Sequence, residues 1–380
     1  MTGANKIRLF VDAHSFDTEF QGAQSFLYSL YTSLMRLHPE IEIYFGANDT
    51  ERLQQRFPQV KKQYFLKYPK YCAGLLRFFT IIPFYIRKYR FGFAHFQYMS
   101  PLPMAYCRYI VTSHDVLFMD YPAYFPRLYG LKRFFFFKWS FRMAAIKTTV
   151  SVYSRERLAF HYNIPVNDIF VIPNMVEEDA VPAEADLSRE RDYIRNRYRA
   201  ENYILYISRI EPRKNQLLLL QAYLKLSLRE KNTMLVLIGK TSIRVKDLDA
   251  LLHSLEEPER SHIKIIPAVE PDVLAMFYRN CRLFVYPSAA EGFGIPPLEA
   301  AMHGAPVLCA NVTAMKDFTF FEPWRFDPAN VPDFENKLAD CINGNTISVD
   351  NKRIRSAIRA SYDPDTVAAD FFQLLKKTVI

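Results

Sequence analysis

Two carboxylates, Glu291 and Glu299, stand with seven residues between them in the stretch from Tyr286 to Ala310. Gly292-Phe293-Gly294 follows the first, and its glycines let backbone approach a ligand closely because no Cβ stands in the way. Pro296-Pro297 suits a first helical turn, whose free N–H groups and dipole favour an anionic or hydroxyl-rich ligand. With Glu291 in the loop and Glu299 in that first turn, both carboxylates can face one cleft. A second place for chemistry is His114. It follows the run Tyr109-Ile110-Val111-Thr112, a strand parallel to Phe93-Ala94-His95-Phe96-Gln97. The imidazole therefore falls at the C-terminal edge of a sheet, where open α/β sheets bind ligands.

The elements that must carry these groups are legible as alternating strands and helices. Leu283-Phe284-Val285-Tyr286 reads as a buried strand stopped by Pro287-Ser288, and the helix through Met302 stops at Gly304. Near the start, Ile7 to Asp12 is a strand, His14 to Gly22 a polar loop, and Phe26, Leu27, Leu30, Tyr31, Leu34 and Met35 recur at helical spacing. That is the opening of a Rossmann-like unit, in which Gly22 serves either as a helix-start residue or as a ligand contact. Later, Tyr203 to Ile207 is a strand leading into Ser208-Arg209-Ile210-Glu211-Pro212-Arg213-Lys214-Asn215. Met234 to Ile238 ends in Gly239-Lys240, and Ile263 to Ile266 stops at Pro267-Ala268. The fold class is α/β, with two Rossmann-like, doubly wound parallel-sheet domains. The first covers residues 1–178 and the second 187–362, with the acidic stretch Glu177 to Asp186 as linker and a terminal helix over 363–380.

Composition narrows the class. In 380 residues, 50% hydrophobic and 23% charged, there is globular rather than disordered composition, and no apolar run approaches the roughly 20 residues of a membrane helix. The N-terminus leads directly into a strand without a signal-peptide core. Five scattered cysteines without a CxxC pair read as reduced, buried thiols of a cytosolic protein. Residues 1–178 hold 22 Lys+Arg against 13 Asp+Glu, so the whole net charge of +9 lies there and an anionic partner for that half is expected. From Lys61 to Phe93, eight cations (Lys61, Lys62, Lys67, Lys70, Arg77, Arg87, Lys88, Arg90) interleave with aliphatic and aromatic residues. This segment is either an interfacial face for anionic lipid or a Rossmann helix whose cationic stems cover apolar surface. Phe134-Phe135-Phe136-Phe137 reads as a core helix. No nucleic-acid motif accompanies the basic residues, so no nucleic acid is expected. Asp247-Leu248-Asp249 falls in a helical pattern and Asp363-Pro364-Asp365 at a helix start, so neither reads as a metal site.

The E-x7-E stretch in its strand, double-glycine loop, helix and glycine stop resembles the retaining glycosyltransferases of family 4, whose fold (GT-B) sets two Rossmann-like domains across a cleft. The likeness covers nearly the whole chain, strongly from Ser151 to Ala310 and loosely over residues 20–110. The segment from Thr149 to Val176 is similar too, reading as strand, Ser154 cap, helix, strand and Pro173-Asn174, with Met175 where relatives have glycine. The resemblance implies that Glu291 contacts the donor sugar, Glu299 the ribose, Arg209 and Lys214 the diphosphate, and His114 the donor from the opposite domain. It implies that Gly292, Phe293, Gly294 and Gly22 line the donor site, and that Gly239, Ile266 and Pro267 approach the nucleotide. Relatives usually carry a second glycine where this chain has Gln24. The terminal helix is expected to cross back to the first domain. The wording Glu211-Pro212-Arg213-Lys214-Asn215 resembles mannosyltransferase-like members, so GDP-mannose is the expected co-substrate, with no separate cofactor and no metal. The expectation is a cytoplasmic enzyme, peripheral on the inner face of the plasma membrane, that moves a sugar to a lipid-linked or polysaccharide acceptor in surface glycan synthesis. Rival readings are a nucleotide-sugar epimerase of the same fold and a catalytically silent membrane-associated partner subunit.

Overall fold

Short apolar runs, nearly all buried on both faces, build two parallel sheets, as expected where helices cover both sides. The computed structural model describes residues 7–18, 22–69, 74–125, 129–177, 183–344 and 351–379. The chain divides into one unit of Met1–Met175 with Tyr362–Ile380 and a second of Val176–Ser361. In the first unit the strands are β1 (Arg8–Asp12), β2 (Glu42–Ala47), β3 (Phe65–Lys67), β4 (Phe93–Gln97), β5 (Arg108–Thr112), β6 (Ile146–Thr149) and β7 (Ile169–Val171). They pair in the order β3-β2-β1-β4-β5-β6-β7. The second unit has β8 (Tyr203–Ile207), β9 (Met234–Ile238), β10 (Ile263–Ile266), β11 (Leu283–Tyr286), β12 (Val307–Ala310) and β13 (Arg325–Phe326), in the order β10-β9-β8-β11-β12-β13. Each sheet reverses its strand order once, between β1 and β4 and between β8 and β11. Loops leaving the C-terminal ends of two adjacent strands diverge there, which opens a crevice for a ligand.

Helix Gly22–Leu37 lays Phe26, Leu27, Leu30, Tyr31 and Leu34 on the first sheet, all buried. Each such side chain contributes about 1.5–3 kcal/mol on leaving water. The C-terminal helix Pro364–Val379 packs on the same helix. Phe371 meets the Tyr31 ring edge-on at 6.4 Å, Phe372 stacks on His38 at 3.6 Å between centroids, and Asp365 pairs with Arg36. This unit is thus closed by the last sixteen described residues of the chain.

Several local expectations are corrected. A helix runs over Glu184–Tyr198 and so begins inside the stretch read as the linker, ahead of the expected domain start at 187. Glu184 and Asp186 occupy its first turn, where the helix dipole favours acids. Ser151, not Ser154, caps helix Val152–Tyr162, its side chain accepting the Ser154 N–H at 3.0 Å. The four-phenylalanine helix Tyr129–Met143 is core on one side only. Phe137 and Phe141 are buried, whereas Phe135 is 63% exposed and Phe136, Trp139 and Met143 are exposed with it. Consecutive residues turn 100° around a helix, so four adjacent Phe cannot share one face. From Lys61 to Phe93, helices Leu76–Phe79 and Ile81–Tyr89 bury Phe78, Ile82 and Ile86. Leu75, Leu76, Phe79 and Phe84 stay exposed beside Arg87, Lys88 and Arg90. Core stripe and exposed apolar–basic face coexist in that segment. Lys70, Cys72 and the middle of the acidic stretch lie outside the described residues. The other four cysteines are buried and unpaired.

Candidate active site

Strands β8 and β11 are hydrogen-bonded neighbours, with Ile204 opposite Leu283 and Leu205 opposite Phe284. The loops after them therefore emerge side by side, which is how Lys214 and Glu291 meet although 77 positions separate them. Lys214 ends the single 3-10 turn Pro212–Lys214. Its Nζ donates to Glu291 Oε1 at 2.5 Å and to the Tyr286 hydroxyl at 2.9 Å. Ser288 Oγ (2.6 Å) and Tyr286 Oη (2.9 Å) also donate to Oε1, and Arg213 Nη1 reaches Oε2 at 3.0 Å. The Glu291 N–H donates to Thr313 Oγ1 at 2.9 Å. Both Glu291 and Lys214 are buried. Burial by itself raises the Glu291 pKa, but the Lys214 and Arg213 charges with the Lys214 and Ser288 hydrogen bonds outweigh it and hold the group at about 2. Burial lowers Lys214, and Glu291 opposes that shift. The result is a dry, fixed carboxylate with a cation on each oxygen.

Sequence reasoning grouped Arg209 with Lys214, and the structure separates their surroundings. Arg209 is exposed, its carbonyl accepting from Gln216 Nε2 at 2.8 Å, while Lys214 is held inside by Glu291. Arg213, Tyr286, Ser288 and Thr313 were not singled out from sequence. Arg213 bridges two acids, its Nη2 lying 2.7 Å from Glu211 Oε1 as well as Nη1 on Glu291. The signal for it was the adjacent pair Arg213-Lys214, of which only Lys214 was read as a diphosphate ligand.

Glu299 lies in the second turn of helix Ile295–Met302 rather than the expected first, because the helix begins at Ile295, ahead of the two prolines. Its carboxylate accepts from the Tyr278 hydroxyl at 2.9 Å, and burial raises its pKa. The turn before it depends on Gly294, at φ +100°, where a Cβ would also come within 2.8 Å of Met315. Phe293 is buried edge-on to Phe318 at 5.9 Å, beside buried Gly292. Gly239 has a packing reason of its own. At φ +151° its α-carbon abuts Ser208, whose carbonyl would be 1.9 Å from a Cβ. Its N–H donates to the carbonyl of Ile266, which is half-buried, with Pro267 exposed after it. Asp249 of the first D-x-D triplet pairs with Arg244, and Asp363 caps the last helix through the Thr366 N–H at 2.9 Å. Among the described residues no group of three or more His, Cys, Asp or Glu could hold a metal ion.

In the first unit, His114 lies two residues beyond β5 and is buried, its Nε2 2.6 Å from Gln97 Oε1 and its ring edge-on to Phe26 at 5.3 Å. Ser154, freed from the capping role, donates to the His114 carbonyl at 3.0 Å. Gly22 is the exposed first residue of its helix, with room for a side chain. Gln24, in place of the second family glycine, turns inward and donates to the Ser15 carbonyl at 2.7 Å, tying down turn His14–Asp17. At the end of β1, buried Asp12 takes the Tyr68 hydroxyl at 2.9 Å, with His14 Nδ1 at 3.1 Å and Arg77 Nε at 3.5 Å from its other oxygen. This cluster at the switch point was missed because its members are dispersed in sequence.

Two imidazoles in this unit are held neutral. Burial lowers His114 to about 4, and burial with the nearby His114 lowers His95 to about 3. In the unfolded chain each binds its proton near pH 6.5, so the unfolded state takes up protons first as pH falls. Their contribution is complete above about pH 6.5 and declines towards the folded values. Urea unfolding at pH 5 should find this unit about 2 kcal/mol less stable per imidazole than at pH 7. The drop should shrink by about half in His95→Gln. An equal pH dependence in that variant would count against the assignment.

Residues 20–180 match the family described as Glycosyltransferase Family 4, and residues 190–358 the one described as Glycosyl transferases group 1. The chain is 30% identical to the O-antigen chain mannosyltransferase B of Escherichia coli, over 73% of this chain and 75% of that one. It is 32% identical to the serotype-specific mannosyltransferase WbdA of Escherichia coli over 50% of this chain, a match spanning 23% of that longer protein. The solved structure of Anabaena Alr3699/HepE in complex with UDP and glucose superposes with a TM-score of 0.72 at 15% identity, covering 98% of this chain and 100% of the other. The two parallel-sheet units are those of the GT-B fold class. The chain belongs to the family 4 glycosyltransferases, and the enzyme is a hexosyltransferase.

Proposed function

We propose that this enzyme transfers mannose, with retention of configuration, from GDP-mannose to a lipid-linked or polysaccharide acceptor in O-antigen synthesis. The observation that carries the reading is the pairing of Lys214 and Glu291 at the strand switch point: a cation for a leaving diphosphate beside a carboxylate for sugar hydroxyls. The O-antigen mannosyltransferase relatives support the choice of sugar and pathway. In this reading Arg209 and Lys214 receive the diphosphate. As the anomeric C–O bond breaks, negative charge grows on the phosphate oxygen, and preorganised cations stabilise it without needing a metal. Arg209 binds two oxygens at once and Lys214 acts as a point charge. Glu291 holds sugar hydroxyls, Glu299 the ribose, and His114 the donor sugar. Gly292, Phe293 and Gly294 shape the loop, Gly239, Ile266 and Pro267 face the nucleotide, and Gly22 opens the first unit's ligand loop. The acceptor hydroxyl attacks from the face the diphosphate leaves, and its proton passes to the departing phosphate oxygen.

Thermal shift of the pure protein against GDP, UDP and dTDP tests the donor. A ligand at 100 times its dissociation constant adds about 2.7 kcal/mol to stability, and GDP should give the largest shift. A larger shift with UDP, the nucleotide in the HepE complex, would overturn the GDP assignment.

The same reading places the first unit against an anionic membrane, where a lipid-linked acceptor resides. No described helix is long and apolar enough to cross one. The exposed residues Leu75, Leu76, Phe79 and Phe84, with Arg87, Lys88 and Arg90, offer apolar contacts beside cations. Each cation at such a surface contributes about 1 kcal/mol, attenuated by salt. Co-sedimentation should be strong with anionic vesicles at low salt and weak at high salt. Equal binding to neutral vesicles would contradict the charge-driven docking.

A further inference from the structure

His95 and Gln97 alternate along β4, and Thr112 and His114 stand at the end of neighbouring β5, where Gln97 is the register partner of Thr112. Two-residue periodicity puts such groups on one face of a sheet, here under helix Gly22–Leu37. They form a continuous buried chain. Tyr31 Oη lies 2.5 Å from His95 Nδ1, and His95 Nε2 lies 2.7 Å from Thr112 Oγ1 and 3.2 Å from Gln97 Nε2. Gln97 Oε1 completes it at 2.6 Å from His114 Nε2. Phe26 sits edge-on to both imidazoles, and Phe371 of the terminal helix covers His95 at 5.7 Å.

The polarity of this chain is decided at one amide. The nitrogen of Gln97 only donates, so His95 Nε2 is an acceptor and its proton sits on Nδ1, given to the Tyr31 oxygen. The oxygen of Gln97 only accepts, so His114 must donate from Nε2, and Nδ1 is left as the lone-pair nitrogen of that ring. No carboxylate takes part, so nothing in the chain draws a second proton onto either imidazole. We propose that Tyr31, His95 and Gln97 are positioning residues that hold His114 as the Nε2–H tautomer, so that Nδ1 accepts a hydrogen bond from a hydroxyl of the donor sugar. The inference rests on the reading that His114 meets the donor.

The test is a long-range ¹⁵N–¹H correlation spectrum of the full-length, histidine-labelled enzyme at pH 7, with His114 assigned by the signals lost in His114→Gln. The expected pattern is Nε2-protonated for His114 and Nδ1-protonated for His95. An Nδ1-protonated His114 in the unmodified enzyme overturns the proposal without any variant having to fold. Gln97→Met should give a mixed His114 tautomer and a kcat lower by about tenfold, the weight of one neutral hydrogen bond. Affinity for the bare nucleoside diphosphate, which lacks the sugar, should not change. Gln97→Glu keeps the shape but places a carboxylate that holds His114 as imidazolium, with Nδ1 turned into a donor. It should lose kcat as well, whereas a merely structural Gln97 would let this near-isostere work, and full activity there overturns the proposal. Unchanged kcat in His114→Ala would instead overturn the placement of His114 at the donor, leaving the tautomer result standing.

Discussion

Glu291→Gln is expected to lower kcat by about a hundredfold while leaving affinity for the free nucleoside diphosphate undiminished. The carboxylate is buried and ionised, and three of its four donors sit on Oε1, so in the proposed reading Oε2, which takes only Arg213, is the oxygen that meets the sugar hydroxyls. A hydrogen bond to a charged group contributes about 1.5–3 kcal/mol, the upper end of which is roughly a hundredfold in rate. Such a bond raises kcat only if it tightens as the anomeric carbon becomes cationic, which an anion next to that carbon favours. Glutamine supplies neither the charge nor, on its nitrogen, an acceptor for Arg213. Some stability is lost with it, so the assay must run well below the melting temperature of the variant. Glu299→Gln is the contrast, because a ribose contact persists in the product nucleotide and its loss mainly raises KM. Calorimetry with the free nucleotide and steady-state kinetics on Glu291→Gln decide the point. Lost nucleotide affinity with normal turnover would mean that Glu291 grips the ribose instead.

Lys214→Ala should do two things at once. In the proposed reading Lys214 is a point charge for the diphosphate, and its loss should weaken nucleotide binding by about tenfold to a hundredfold. From sequence alone the fold would be expected to tolerate the change. The structure revises that, because Lys214 Nζ is the closest cation to a buried carboxylate. Removing one partner of a buried pair leaves an uncompensated charge and costs about 3–5 kcal/mol, softened here by Arg213, Tyr286 and Ser288, which remain on Glu291. A clear fall in melting temperature should therefore accompany the loss of affinity. The effect of pH follows with its sign. The Glu291 pKa is depressed in the folded state, so its stabilisation is present above about pH 4.5 and is lost as pH falls towards about 2. Without Lys214 the folded pKa rises towards the ordinary value, so this stabilisation is smaller and is exhausted at a higher pH. Unaltered nucleotide affinity in a destabilised Lys214→Ala would leave Lys214 as a structural partner of Glu291 and remove it from the diphosphate site.

The amino-acid sequence by itself determined the elements and the family. Strand, loop and helix signals depend on near neighbours: apolar runs, glycine and proline stops, and a period of 3.6 residues. For that reason β8, β11 and the loops and helix that carry Glu291, Glu299, Lys214 and His114 were legible as elements. Boundaries that rest on competition among local groups shifted, as at Ser151 against Ser154 and in the turn holding Glu299. Only the tertiary structure decided who touches whom. Strand order places the loop after β8 beside the loop after β11, and that adjacency gives Glu291 its Lys214 and Arg213 partners and its depressed pKa. Strand register likewise joins His95, Gln97 and His114 into one chain under Tyr31 and Phe371. Burial decided the rest, sending half of the phenylalanine run outward and Gln24 inward. Local sequence sets the period of an element, whereas charge and protonation are set by neighbours in space, which parallel crossover connections bring from far along the chain.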